Sequence, residues 1–152
     1  MSITVSTSTQ TPTLRWFKEA DTENPFSNTY PSSIHVFGIL HRSAEHAFQF
    51  RKAQLMKNYY AMNMLLKAHS SLSAQHIGKS IVYDTSWIAI RQHVMTIILR
   101  AKLDQDMDYQ KALANLSDDA LLCEDSNHYF WGGHGENVLG QIHMKNKSKV
   151  WA

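Results

Sequence analysis

The sequence predicts a single α+β domain that is dominated by helices and carries a small β-sheet. Five stretches place apolar residues at helical spacing, whereas only two or three short stretches have the pattern of strands. The segments near Val36 and Leu122 are expected to form the sheet. A chain of 152 residues is long enough for one domain with a real core and too short for two comfortable ones.

Composition narrows the classes of protein that fit. Hydrophobic residues make up 43% and charged residues 18%, and no apolar run is long enough to span a membrane. The formal charge of +2 suits phosphate-bearing ligands but is too weak to indicate DNA binding by itself. Cys123 is the only cysteine, which excludes an internal disulfide and a CxxC metal site and favours a reducing cytoplasm. The nine histidines show no HExxH spacing, so no metal is expected.

The amino-terminal third predicts a tail, two strands and a loop. Residues 1–13 are rich in Ser and Thr and lack the basic start and apolar block of a signal peptide, so we expect a disordered tail before a domain at 14–152. Leu14–Phe17 is typical of a short strand, and Asn24–Pro31 of a turn-rich loop that Phe26 and Tyr30 pin to the core. Ile34–Gly38 alternates polar and apolar residues and predicts a second strand.

A long helical pattern follows from Ala44 to about Ala68, with a break expected near Asn58–Asn63. Ser43 is placed to cap it, which puts Glu45 in the first turn. Unpaired amides and the helix dipole favour a carboxylate there, so the simplest interpretation of Glu45 is a surface residue that complements the dipole.

Downstream, the pattern predicts three further helices and a strand. Leu72–Lys79 is expected to be a short helix ended by Gly78, because glycine is a common helix C-cap. Asp84 is placed to cap the clearest helix, whose apolar face is formed by Trp87, Ile90, Val94, Ile97, Ile98 and Ala101. Periodicity alone favours Trp87 as a core residue. Residues 106–115 predict another short helix and Ala120–Cys123 a strand, at whose exit Glu124 and Asp125 are placed to line a cleft.

The last segment is a glycine-rich loop, Trp131–Asn137, which runs into a helix with Asn137 at or near its N-cap. Such a loop lets backbone amides approach an anion while the helix N-terminus attracts it. Lys145, Lys147 and Lys149 follow.

Several of these segments, in this order, resemble the NADAR family. The likeness is carried by Phe26–Pro31, by Ser43–Gln49, by Trp87, Arg91, Val94 and Met95 on one helix, and by the segment from Trp131 to Met144. Gly78–Lys79 lies where the family tends to have Gly-Arg. One departure is that His128 stands where the family usually has an Asp, three residues before the Trp.

The resemblance implies hydrolysis of N-glycosidic bonds in ribose-bearing compounds, without a cofactor. Such cleavage passes through an oxocarbenium-like state, which a carboxylate near C1′ stabilises, and Glu45 is the candidate. His128, Glu124 or Asp125 would protonate or orient the leaving base. The expected substrate-binding residues are Asn28, Tyr30, His46, Gln49, Lys79, Trp87, Arg91, Trp131, Gly132, Gly135 and Asn137. Trp87 and Trp131 would sandwich the base, and Asn137, the glycine loop, Arg91 and Lys79 would hold ribose hydroxyls and phosphates.

Two substrate groups follow from the resemblance: ADP-ribose linked to guanine, and early intermediates of the riboflavin pathway. We expect the first, including ADP-ribosylated DNA. The loop amides together with Lys79, Arg91 and Lys147 supply more hydrogen-bond donors and positive charge than a single terminal phosphate requires. A non-catalytic module that binds ADP-ribose or a nucleotide, and a purely structural domain, remain alternatives. The sequence gives no oligomeric state.

Overall fold

The computed structural model describes residues 11–150, which form one α+β domain. The predicted tail at 1–13 therefore lies largely outside the described residues, and Thr13 already begins a strand. The helices are α1 (Ala44–Leu55), α2 (Tyr59–Lys67), α3 (Ser71–Lys79), α4 (Thr85–Gln105), α5 (Met107–Ala114) and α6 (Val138–Lys147). The strands are β1 (Thr13–Lys18), β2 (Ile34–Val36), β3 (Ile39–His41) and β4 (Ala120–Asp125).

The strands form two separate pairs. β1 pairs with β4 in parallel, with Phe17 opposite Glu124, and β2 pairs with β3 in an antiparallel hairpin. The predicted strands near Val36 and Leu122 both form, but they lie in different sheets, so the expectation that they share one sheet is wrong. Parallel strands cannot be joined by a tight turn, and here β2, β3 and the helices α1 to α5 all lie between β1 and β4 in the chain.

The predicted helix N-caps are confirmed. The Ser43 hydroxyl accepts a hydrogen bond from the His46 amide at 3.1 Å, which fixes the start of α1. Asp84 caps α4 through the Ser86 amide. The break after α1 lies at residues 56–58, with Asn58 capping α2, close to the predicted position.

The core is built around α4, which packs against α1, α5, α6 and β2. Its buried apolar face comprises Trp87, Val94, Met95, Ile98, Leu99 and Leu103. Ile90, which the pattern places on this face, is instead 37% exposed. Within the described residues, no helix is both long and apolar enough to cross a membrane.

Lys102 is a fully buried cation on the inner face of α4. Its ammonium donates to the Pro25 carbonyl at 2.6 Å, and burial lowers the pKa of Lys102 to about 8. The bond connects α4 to the loop that carries Asn28, a residue that lines the cleft described below.

Lys102→Met is expected to lower the free energy of unfolding by about 1–3 kcal/mol, because the Pro25 carbonyl loses its donor inside the core. Circular dichroism during urea unfolding would measure the change. Lys145→Met, at an exposed position of α6, is the matched control and should leave stability unchanged. Equal stabilities of the two variants would contradict the structural role of Lys102.

Candidate active site

A cleft of about 440 Å³ opens between α1, α3, α4 and the segment that follows β4. It is lined by residues from distant parts of the chain, including Glu19 after β1, Glu45 on α1 and Glu124 on β4. The elements around it bring carboxylates, cations and aromatic rings to one place, which is the arrangement expected of a site for a polar, ring-bearing ligand.

One face of α1 forms the floor of the cleft. Glu45, Gln49 and Lys52 recur at helical spacing and are all buried. The Gln49 amide donates to Glu45 Oε1 at 2.8 Å, and the Lys52 ammonium donates to the Gly78 carbonyl at 3.1 Å. The Glu45 backbone amide donates to the Asn28 carbonyl, which joins the cleft floor to the loop before β2.

The parallel pair β1–β4 brings a second group of charges to the cleft. Since both strands run the same way, Glu19, which follows β1, and Glu124, the penultimate residue of β4, lie at the same edge of the pair. His128 Nε2 lies 3.2 Å from Glu19 Oε1, and the Ser126 hydroxyl donates to Glu124 Oε1 at 2.7 Å. Three carboxylates and an imidazole thus face one another.

Burial gives the carboxylates different protonation behaviour. Desolvation raises the pKa of Glu45, and the hydrogen bond from Gln49 only partly opposes this. Desolvation likewise raises the pKa of Glu124 to about 7, against the opposing bond from Ser126. The favourable effect of the helix start on an ionised Glu45, considered from the sequence, is therefore outweighed by burial.

In contrast to Glu45 and Glu124, the charged forms of Glu19 and His128 are favoured by their surroundings. The hydrogen bond from His128 lowers the pKa of Glu19, and the same bond raises the pKa of His128. The pair is therefore stable as an ion pair, while neighbouring Glu124 titrates near neutrality. Groups whose environments push their pKa values apart mark acid and base roles in enzymes.

Two further cations line the walls. Lys79 ends α3, and the Arg91 guanidinium of α4 lies 3.9 Å from the centre of the Phe130 ring. Lys52 lies over Tyr83, at 4.6 Å from its ring centre. The cleft therefore offers positive charge on two different helices beside its buried floor.

The aromatic lining is centred on Phe48. Its ring centre lies 5.1 Å from that of Trp87 and 5.6 Å from that of Trp131. Trp87 is only 3% exposed, whereas Trp131 is half-buried. Because Phe48 contacts both indoles and Trp87 is almost wholly covered, Trp131 offers the more accessible surface to a planar ligand.

The structure brings most of the sequence-predicted residues together. Those that line the cleft are Asn28, Glu45, Gln49, Lys79, Trp87, Arg91, Glu124, His128 and Trp131. Those that do not line it are Tyr30, His46, Asp125, Gly132, Gly135 and Asn137.

The side chains outside the cleft have other contacts. Tyr30 donates its hydroxyl to Asp108 at 2.7 Å, and exposed Asp125 lies 3.2 Å from His134. His46 lies between the Ser43 hydroxyl and the Ala68 carbonyl, which it contacts at 3.0 Å. Successive residues on a helix face different directions, so His46 turns away from the cleft that Glu45 enters.

Most amides of the glycine-rich loop are already used within the chain and are not available to an anion. The amides of Gly132, Gly133, Gly135, Glu136, Asn137 and Val138 all donate to backbone carbonyls of the chain. Asn137 adopts a left-handed conformation (φ 54°), and its side chain donates to the Leu122 carbonyl at 2.9 Å instead of capping α6. The expectation that this loop and Asn137 cradle a phosphate is therefore not supported, because the loop folds back on itself and on β4.

Ten cleft residues were not among the site residues expected from the sequence, namely Glu19, Phe48, Lys52, Gln75, Gly78, Tyr83, Met95, Tyr129, Phe130 and Leu139. Lys52 carried a usable signal, since it lies seven residues after Glu45 on the same helix face. Glu19 carried none, because its place depends on the pairing of β1 with a strand about a hundred residues away. In the described residues, no group of three His, Cys, Asp or Glu side chains is arranged to hold a metal ion.

Comparison with known proteins gives consistent matches. The model of the NADAR domain matches residues 15–151. A riboflavin biosynthesis protein of Vibrio vulnificus (strain YJ016) is 32% identical over 142 residues, and the match spans 89% of this chain but only 38% of that protein. The N-glycosidase YbiA of Escherichia coli (strain K12) is 26% identical over 143 residues, covering 90% of this chain and 88% of YbiA. The NMR structure of E. coli YbiA superimposes with a TM-score of 0.74 and 28% identity, covering 91% of this chain and 85% of YbiA.

Proposed function

This chain belongs to the NADAR domain family, and from that premise we propose that it is an N-glycosidase that hydrolyses the bond between a ribose and a base. The observation that carries the proposal is the pairing of two buried carboxylates, Glu45 and Glu124, in one cleft lined by cations and aromatic rings. The N-glycosidase YbiA of E. coli matches this chain over 88% of its own length with 26% identity, and its structure has the same fold.

In the proposed reaction the bond between C1′ and the base nitrogen breaks, and its electron pair goes to the nitrogen. Glu124 donates a proton to that nitrogen, a role that suits a carboxyl with a pKa of about 7. Ionised Glu45 stabilises the positive charge that develops on the ribose and then takes the proton of the water that adds to C1′. Proton exchange with solvent restores both groups.

The surrounding residues serve binding. Asn28 Oδ1 is buried, has no hydrogen-bond partner among the described residues and lines the cleft, so it is suited to accept from a ribose hydroxyl. Trp131 would stack on the base. His128, held in an ion pair with Glu19, would orient the leaving base in the place of the family's usual Asp.

For the substrate we place aminouracil phosphoribosides of the riboflavin pathway first, which reverses the preference drawn from the sequence. That preference depended on loop amides and Lys147, but most of the amides are occupied, and Lys147 lies 3.9 Å from Asp118 and does not line the cleft. Of the three cations on which that preference depended, only Lys79 and Arg91 line the cleft. The similarity to a protein named for riboflavin biosynthesis supports placing these compounds first.

ADP-ribose linked to guanine, free or in DNA, is the second candidate. The placement of Lys79 on α3 and Arg91 on α4 favours it, because separate cations suit two phosphates. Cytoplasmic location, expected from the single cysteine, stays a prediction.

A substrate panel with HPLC detection of released base tests the function. Aminouracil phosphoribosides, ADP-ribosylated guanosine and ADP-ribosylated DNA would be compared at equal concentration. Release of base from any of them supports an N-glycosidase, and the fastest one identifies the class. If the protein binds these compounds tightly but releases base from none of them, it is a non-catalytic binding module.

The pH–rate profile of the wild type is expected to be bell-shaped. Activity should rise with pH as Glu45 ionises, which happens at a higher pH than for an ordinary glutamate because its pKa is raised. Activity should then fall as Glu124 loses its proton near pH 7. Ser126→Ala removes a bond that lowers the pKa of Glu124, so the alkaline limb should move to higher pH. Glu124→Gln should lower the rate and lose that limb. An unchanged alkaline limb in both variants would remove Glu124 from the mechanism.

A further inference from the structure

Gly78 lies in the last turn of α3, directly against the floor of the cleft. A Cβ at this position would overlap Oε1 and Cδ of the Gln49 side chain. The backbone at Gly78 has no positive φ and continues the helix, so conformation does not demand a glycine here. The expected role of Gly78 as a helix C-cap is wrong, because α3 continues to Lys79 and is capped by Ser80. What the missing side chain provides is room for Gln49.

Gln49 is the only side chain among the described residues that donates a hydrogen bond to the Glu45 carboxylate. Its Nε2 makes that bond at 2.8 Å, while its own Oε1 is buried without a partner in the described part of the chain. A buried carbonyl oxygen without a donor is costly, but turning the amide over would set that oxygen against the Glu45 carboxylate, so the bond from Nε2 favours the observed orientation. The absence of a Cβ at Gly78 leaves the space that the Gln49 amide occupies in this orientation.

The same glycine also holds the cation next to Glu45. The Gly78 carbonyl accepts from the Lys52 ammonium at 3.1 Å. Gln49 and Lys52 are one and two turns along α1 from Glu45, on the same face. One residue of α3 thus sets both groups of α1 that favour the ionised form of Glu45.

We propose that Gly78 is a positioning residue for Glu45, acting through Gln49 and Lys52. Its bare backbone lets Gln49 lie flat against α3 and donate to the carboxylate, and its carbonyl anchors Lys52. The inference rests on the proposed function only where it predicts turnover; its prediction for the titration of Glu45 does not depend on the reaction.

Gly78→Ala is the direct test. Alanine favours a helix more than glycine does, so a loss cannot be attributed to a weaker α3. The added Cβ should push Gln49 away and lower kcat about tenfold or more with little change in KM, as expected when a reacting group is displaced. Ser73→Ala, at an exposed position of the same helix, is the control and should have wild-type activity.

The pH dependence separates positioning from general damage. The groups that face Glu45 are Gln49 and Lys52 on α1, Glu19 and His128 at the cleft edge, and Glu124 on β4. Loss of the Gln49 bond removes an influence that lowers the pKa of Glu45. The acidic limb of the rate profile, and the carbon-13 NMR titration of the Glu45 carboxyl, should both move to higher pH in Gly78→Ala.

A double-mutant cycle with Gln49→Ala completes the test. In that background there is no Gln49 amide to displace, so adding Gly78→Ala should cost nothing further. Wild-type titration of Glu45 in Gly78→Ala, or an equal loss in both backgrounds, overturns the inference. If Gly78→Ala alone fails to fold, the double variant should fold; failure of both would also overturn it. An inactive wild type with the expected NMR shift would reject the proposed function and leave the positioning role intact.

Discussion

Glu45→Gln is expected to fold normally and to lose N-glycosidase turnover by roughly a hundredfold to a thousandfold. The amide keeps the shape of the carboxylate and can still accept from Gln49 at the position of Oε1, 2.8 Å from Nε2. It cannot carry the negative charge that the oxocarbenium-like state requires. Single-turnover kinetics on the substrate identified by the panel would measure the loss, and an intact rate would exclude Glu45 from the chemistry.

The same substitution should make the protein more stable at neutral and alkaline pH. The pKa of Glu45 in the folded protein is raised, so its contribution to stability is fully present below the ordinary value of 4.5 and is lost as pH rises through the folded pKa. Glutamine does not titrate. The melting temperature of the variant should therefore exceed that of the wild type by a gap that opens above about pH 4.5, widens until pH has passed the folded pKa of Glu45 and is constant above it.

Glu23→Gln is the matched control. It makes the same change from carboxylate to amide, but at an exposed position in the loop after β1. It should leave both turnover and the pH dependence of melting unchanged. A gap between Glu45→Gln and the wild type that stays constant with pH would show that Glu45 titrates normally and is not held in a desolvated state.

The parts of the fold that the sequence predicted correctly are those fixed by neighbours in the chain. Ser43 and Asp84 each accept from an amide within three residues, and Asn58 does the same at the break between α1 and α2. Such caps are encoded by residue type and spacing, so they are visible without tertiary structure. The placement of Glu45 in a first turn followed from them.

The parts that were not predicted depend on contacts between distant segments. The role of Gly78 is invisible without Gln49 of a different helix, and Glu19 joins the site only because β1 lies beside β4. The expectation that the glycine loop binds a phosphate failed for the same reason. The sequence does not reveal that most of the loop amides donate to backbone carbonyls of β4, of the preceding turn and of the loop itself. Backbone groups in a compact chain find partners first, which leaves side chains such as Asn28 and Lys79 to meet the ligand.

Trp87 is where the two interpretations of the sequence, stacking surface or core residue, make opposite predictions. The indole lines the cleft yet is 3% exposed and packs on Phe48 at 5.1 Å between ring centres. Removal of a buried indole costs about 3–5 kcal/mol, whereas stacking on a base is worth about 1–3 kcal/mol. Burial therefore favours an effect on stability.

Trp87→Ala is accordingly expected to lower the melting temperature by roughly 6–20 °C, while the protein that remains folded binds ligand with nearly wild-type affinity. Trp131→Ala should show the opposite pattern, a small change in melting and a loss of about 1–3 kcal/mol in binding, because its half-buried ring is the one accessible to a base. Differential scanning calorimetry beside isothermal titration with a non-hydrolysed nucleotide, at a temperature where both variants are folded, separates the two effects. If affinity falls in Trp87→Ala and melting does not, the base stacks on Trp87, and Phe48 must move to let it enter.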